Sequence, residues 1–256
     1  MRRLFAVICL LAYSPVAFGL VWIQPSRLAP SGTAPTPDLL WYKFNEGSGS
    51  TVTNELGTGG TTTNSPTWTS STQNGSGYAI RFDGQGGGSA KYVTPAAINF
   101  ASATAITISL WTKRNANSGL QVFFEHTAQW DSNPPSFIGV VDSNELYVGM
   151  RDSGGGARQE KCAIGSGSWT HIAMVLDQAA NSGVGDVKIY INGTLQSTTI
   201  TSNTKTSSAS FNTDTVYIGG RSGGVFGYDG DVDDFQIISG EVSAANIAAI
   251  YAGGSH

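Results

Sequence analysis

Apolar side chains recur at every second position in short runs along this chain, and Gly, Asn, Ser and Thr separate the runs. Ile106, Ile108 and Leu110 share one face of such a run, with Thr107, Ser109 and Trp111 on the other. Val187, Ile189 and Ile191 alternate in the same way with Lys188, Tyr190 and Asn192. A period of two belongs to β-strands with one face buried, and excludes the 3.6-residue period of amphipathic helices. In IAMVL (172–176) both parities are apolar, which predicts a central strand covered on both sides. Asn192-Gly193 stands between two alternating runs and predicts a hairpin with a type I′ turn. One segment reads as helical: Ser243 can cap AANIAAIYA, with Ile247, Ile250 and Tyr251 on one face and Gly253 at the end. The fold class expected is all-β, a two-sheet antiparallel sandwich with one short C-terminal helical turn. Composition agrees. Of 256 residues, 33 are Gly and only 12% are charged.

A chain of this length buries roughly 70% of its unfolded surface, enough for a full core without disulfides. The formal net charge of −4 and the lack of a basic cluster downstream of the N-terminus argue against nucleic-acid binding. Cys9 and Cys162 are the two cysteines, and loss of the N-terminus would leave Cys162 alone. Arg2 and Arg3 precede an uncharged apolar run that reaches the small-x-small triplet Ala17-Phe18-Gly19, the pattern of a secretory signal peptide over residues 1–19. The uncharged stretch continues to Ile23, long enough to span a bilayer, so an uncleaved hydrophobic anchor stays open beside it. Membrane association is expected only in that second case. Residues 20–37 include QPSRLAPSGTAPTP and read as a Pro-rich linker, with the globular part over 38–256. The location expected is secreted or cell-surface, with a virion surface as the alternative.

Seven phrases follow one another in the globular part: WYKFNEGSGSTVTNELG, YAIRFDGQGG, AITISLWTKR, SWTHIAMVLD, KIYINGTL, VYIGGR and GDVDDFQIIS. Their order, spacing and wording resemble the concanavalin A-like, laminin G-like jelly-roll modules of bacterial, phage and animal surface proteins, over roughly residues 38–253. The resemblance implies a jelly-roll sandwich whose first and last strands are neighbours, and a binding role. It does not imply a ligand, because such modules share a frame and vary their loops.

Parity along the first strand puts Glu46 on the side of Leu40, Tyr42 and Phe44, and parity along the last puts Asp233 on the side of Phe235 and Ile237. A carboxylate aimed at a core must be paired, hydrogen-bonded or bound to a metal. With neighbouring terminal strands, Glu46, Gly47 and Asp233 would suit a structural Ca2+, which related jelly rolls often carry; hydrogen-bonded or solvated carboxylates are the other reading. YDGDVDD (228–234) lacks the Gly and Glu of a helical calcium loop, so Asp229 and Asp231 read as turn formers. No run places two acids on one strand face for glycoside hydrolysis, which in its retaining form needs carboxyl groups about 5–5.5 Å apart. Glu125, His126 and Asp131 in FFEHTAQWD do not supply such a pair, so no catalytic residue is assigned. His171 reads as a strand-edge packing residue. Sugar sites combine an aromatic platform with polar side chains on loops. Trp68, Trp130, Asp131, Asn133, Arg221, Phe226 and Tyr228 are the ligand-binding candidates on that ground. The reading is a non-catalytic binding module for carbohydrate or a surface protein. A structural or protein-recognition component of a virion or surface layer is the first alternative. A hydrolase-related domain without a recognisable acid pair is the second.

Overall fold

A computed structural model describes residues 32–100, 102–115 and 119–253. The first six strands are β1 (Leu40–Tyr42), β2 (Thr51–Asn54), β3 (Gly57–Thr63), β4 (Thr67–Thr69), β5 (Ala79–Asp83) and β6 (Tyr92–Pro95). The middle of the chain supplies β7 (Ala105–Arg114), β8 (Leu120–His126), β9 (Ser136–Asp142), β10 (Glu145–Arg151), β11 (Ala157–Ala163) and β12 (Thr170–Asp177). It closes with β13 (Asp186–Ile191), β14 (Thr194–Leu195), β15 (Thr199–Asn203), β16 (Val216–Ile218), β17 (Asp229–Ser239) and the helix α1 (Ala244–Gly253).

Antiparallel pairings arrange these strands in two layers. The front layer runs β4-β5-β17-β7-β12-β13-β14. Strand β1 pairs with the second half of β17, Leu40 opposite Ile237 and Tyr42 opposite Phe235, so the terminal strands are indeed neighbours. The back layer runs β2-β3-β6-β16-β8-β9-β10-β11-β15. A single pairing, Tyr42 with Asn54, joins the two at one edge. The expected antiparallel jelly-roll sandwich is therefore the observed one.

Between the layers lies one continuous core. Leu40, Tyr42, Ile108, Leu110, Met174, Phe235 and Ile237 from the front meet Phe124, Phe137, Leu146, Val148, Val216 and Ile218 from the back. Each such side chain contributes about 1.5–3 kcal/mol when fully buried. Strand β12 behaves as its two-sided apolar pattern requires. Ile172, Met174 and Leu176 enter the main core, while Ala173 and Val175 face outward and meet Ile247 and Ile250 of α1. The helix starts where its cap predicts: the Ser243 carbonyl accepts from the Ile247 N–H at 2.9 Å, and its hydroxyl from the Asn246 N–H at 3.3 Å. It runs for 10 residues, longer than the single turn expected. Asn192 and Gly193 both have positive φ, 50° and 74°, and connect Ile191 to Thr194 as a type I′ turn must.

Residues 1–19, the expected signal or anchor, and 20–31 of the expected linker lie outside the described residues. In the remainder of that linker Pro37 is buried, while Thr33, Ala34 and Thr36 are exposed. Ala34 to Pro37 line a cavity of about 190 Å³ with Trp41, Gln236 and Ile250, beside α1. No helix among the described residues is long and apolar enough to cross a membrane.

Candidate functional site

The helix covers the outer face of the front layer. On the outer face of the back layer no described helix lies, and that face gathers the chemistry. Alternation in LYVGMR decides what it presents: Leu146, Val148 and Met150 are in the core, so Tyr147, Gly149 and Arg151 point the other way. Neighbouring strands follow the same register. Tyr217 is opposite Glu125, and Glu125 opposite Ile138. Val122, Ile138 and Val140 form a small apolar patch against which Trp130 and Tyr147 pack. Tyr92 and Tyr217 extend the face, their rings 5.7 Å apart.

At its centre Glu125 is fully buried and holds two loops together. One carboxylate oxygen accepts the Trp130 backbone N–H at 2.8 Å, and the other accepts Nε of Arg221 at 2.6 Å. The Trp130 carbonyl accepts from the Ser136 hydroxyl, so the loop is pinned at both ends of that residue. Burial lifts the Glu125 carboxyl above the ordinary carboxylate range; the hydrogen bonds from Arg221 and Trp130 oppose the rise, and the charge of nearby Asp131 adds to it. The Arg151 guanidinium lies 4.4 Å above the Trp130 ring, and that of Arg221 lies 4.9 Å from the Phe226 ring. Phe226 is 39% exposed and has φ of 53°, a left-handed backbone rarely adopted by an aromatic residue. It borders a groove of about 480 Å³ whose other walls include Gly86, Gly87, Leu120 and Gln121.

Of the seven ligand-binding candidates, Trp130, Arg221 and Phe226 meet on this face. Asp131 is exposed on the same loop as Trp130. Asn133 is exposed nearby, with its amide nitrogen 3.0 Å from an Asp214 carboxylate oxygen and its side-chain oxygen accepting from Asn212. Trp68 lies elsewhere, on edge strand β4, half-buried against the core with its indole N–H donating to the Gly49 carbonyl at 3.2 Å. Tyr228 is a correction. It has no exposure, its ring is 4.4 Å from that of Phe123, and its hydroxyl lies 2.5 Å from that of Thr112, so it belongs to the core. Tyr92, Tyr147, Arg151 and Tyr217 were not singled out by sequence reasoning, although parity within YVTP, LYVGMR and VYI carries the signal.

The donors proposed for Ca2+ do not converge. A β-bulge interrupts β17 between Asp233 and Gln236, with Asp234 at φ 48°. It places Val232 and Phe235 both in the core and sets Asp233 opposite Trp111, whose ring contacts His171 and Tyr251 on the helix-covered face. Asp233 is thus not on the side of Phe235, and the parity reading is corrected. Glu46 is half-buried, accepts the Thr53 N–H at 2.6 Å, and its charge adds to burial in raising the Tyr42 phenol. Gly47 is turned to φ +68° beneath the Tyr78 ring. Among the described residues no three His, Cys, Asp or Glu side chains gather as metal ligands. Nor do Asp229 and Asp231 form a turn: both are in β17, and Asp231 takes Nε and Nη2 of Arg81 at 2.5 and 2.8 Å.

A family model described as the concanavalin A-like lectin/glucanases superfamily matches residues 85–248, more than half of the chain. The chain belongs to that superfamily. No curated protein matches it. Among solved structures it resembles the botulinum neurotoxin serotype G binding domain (TM-score 0.60, 13% identity, 84% of this chain and 50% of that one). It also resembles the serotype D binding domain (0.61, 13%, 85% and 51%). A third likeness is to botulinum neurotoxin type C, whose cell entry depends upon interaction with two ganglioside molecules (0.61, 13%, 84% and 51%). The chain spans about half the length of these structures, and at such identity the likeness is one of fold.

Proposed function

We propose that this superfamily member is a non-catalytic carbohydrate-binding module of an exported or surface-displayed protein, acting in adhesion. The observation that carries the reading is the back-layer face, over which no described helix lies and on which Tyr92, Tyr217, Trp130 and Phe226 gather about the Glu125–Arg221 pair. Sugar rings bind by stacking their C–H faces on aromatic rings while fixed polar groups take the hydroxyls, and this face provides both. Glu125 is not free for acid catalysis, because both its oxygens are engaged by donors held in place by the fold. The ganglioside-dependent entry of the type C neurotoxin supports a glycan-binding use of the same frame.

A glycan array combined with pull-down on insoluble polysaccharides tests the proposal. Binding is expected, and Phe226→Ala is expected to weaken it about tenfold or more with little change in melting temperature, since the ring is 39% exposed and lies outside the core clusters. Silence on both platforms, with capture of a protein partner in its place, would remove carbohydrate from the reading. Release of reducing ends from β-glucans would overturn its non-catalytic part.

A further inference from the structure

Resting on that reading, we propose that the bound glycan is acidic, and that its oxyanions are held by Arg151 and Arg221, one on each side of the Trp130 loop. Both guanidinium groups are presented but unfinished. Arg221 meets Glu125 through Nε, at 2.6 Å, and the two Nη groups at the end of its fork have no hydrogen-bond partner among the described residues. Arg151 donates Nη1 to the Gly155 carbonyl at 2.7 Å and has no carboxylate partner among the described residues. Other cations of this layer differ. Arg158 pairs with Glu160, and Lys161 with Glu145 at 2.6 Å.

Aromatic contact holds each plane in place, Arg151 over Trp130 and Arg221 by Phe226, so little side-chain freedom remains to be lost on binding. A guanidinium fork matches the paired oxygens of a carboxylate, and also those of a sulfate. Glu125 balances one of the two positive charges. Of the other acids by the Trp130 loop, Asp131 faces solvent, where water screens it, and Asp214 accepts from the Asn133 amide at 3.0 Å. The buried part of the cluster therefore carries one net positive charge that the fold itself does not answer.

The test is an array with uronate- and sialate-bearing glycans, their methyl-ester counterparts, sulfated glycans and neutral glycans. Binding to the acidic arms is expected, with affinity falling as salt is raised and lost on esterification. The carboxylated and sulfated arms tell which oxyanion is held. Arg151→Gln is expected to weaken acidic binding about tenfold to a hundredfold with an unchanged melting temperature. For Arg221 the double variant Arg221→Gln/Glu125→Gln removes the fork without leaving a buried charge unpaired, and the same loss is expected. Salt-insensitive binding to neutral glycans, unaffected by Arg151→Gln, would overturn this inference and leave the carbohydrate reading standing. Absence of binding on every arm would overturn both.

Discussion

Two imidazoles are sealed from solvent, His126 between the layers and His171 under the helix. His126 stacks on Phe137 with ring centroids 4.6 Å apart and planes 9° from parallel. His171 is 2.9 Å from the Ser109 hydroxyl through Nε2, and its ring lies 5.2 Å from that of Trp111. Burial lowers both from 6.5 to about 4, so each is neutral in the folded protein at neutral pH. The sign follows from linkage. Below about pH 6.5 the unfolded chain binds protons that the folded chain refuses until about pH 4, so stability is complete above this window and declines through it. The loss is on the order of 3 kcal/mol per histidine by pH 4. Urea unfolding at pH 7 and pH 4.5 is expected to show a smaller difference for His126→Phe than for the unsubstituted protein. Equal differences in the two would refute the assignment. Sequence parity located His171 on a strand but at its edge, whereas β12 lies between β7 and β13. Tyr228 was misread for a related reason. The left-handed backbone at Phe226 sends that ring outward and leaves the next aromatic for the core, and nothing in RSGGVFGYD announces it.

At the scale of elements, α1 owes its place to the second apolar parity of β12. Ile247 and Ile250 close over Ala173, Val175, Tyr190 and Ile238, a cluster separate from the main core. Ile247→Ala is expected to cost about 2–4 kcal/mol, read as a fall in the urea midpoint, because the side chain is fully buried between helix and sheet. A cost below about 1 kcal/mol would mean the helix contributes little to holding the front layer. Helix, hairpin and covered strand were all legible, since each depends on local period or turn chemistry. The bulge at Asp233–Asp234 was not, because one inserted residue shifts every parity after it and leaves no compositional mark. A second unseen device lies in TKTSS, which reads as an ordinary loop. There Lys205 is buried and donates to the carbonyls of Gln178 at 2.7 Å, Gly183 at 2.5 Å and Ser207. Beside it, Asp152 accepts the N–H groups of Gly154, Gly156, Thr206 and Ser207. Long-range pairs of this kind depend on strand order, which no local pattern encodes.

For the whole molecule, the layers stand on one extended apolar core. A thermal melt with and without chelator is expected to give the same midpoint, since Asp233 faces the helix-covered side of the front layer while Glu46 bonds to Thr53 of β2; a drop of several degrees would show that a cation does hold this edge. The family was legible because its phrases mark strand starts and tight turns, the parts of a sandwich most restricted in residue type. The binding face was only partly so, as its members come from five separate strands and two loops. The pairing of β1 with β17 has one more outcome. Leu40 sits beside Ile237, so the start of one strand adjoins the end of the other, and Asp38 bonds to Ser239 at that corner. Tension applied across this corner would load the β1–β17 pair rung by rung, like a zip, and not along the strands in shear. The pair would open from this corner inward, away from the aromatic face on the other layer.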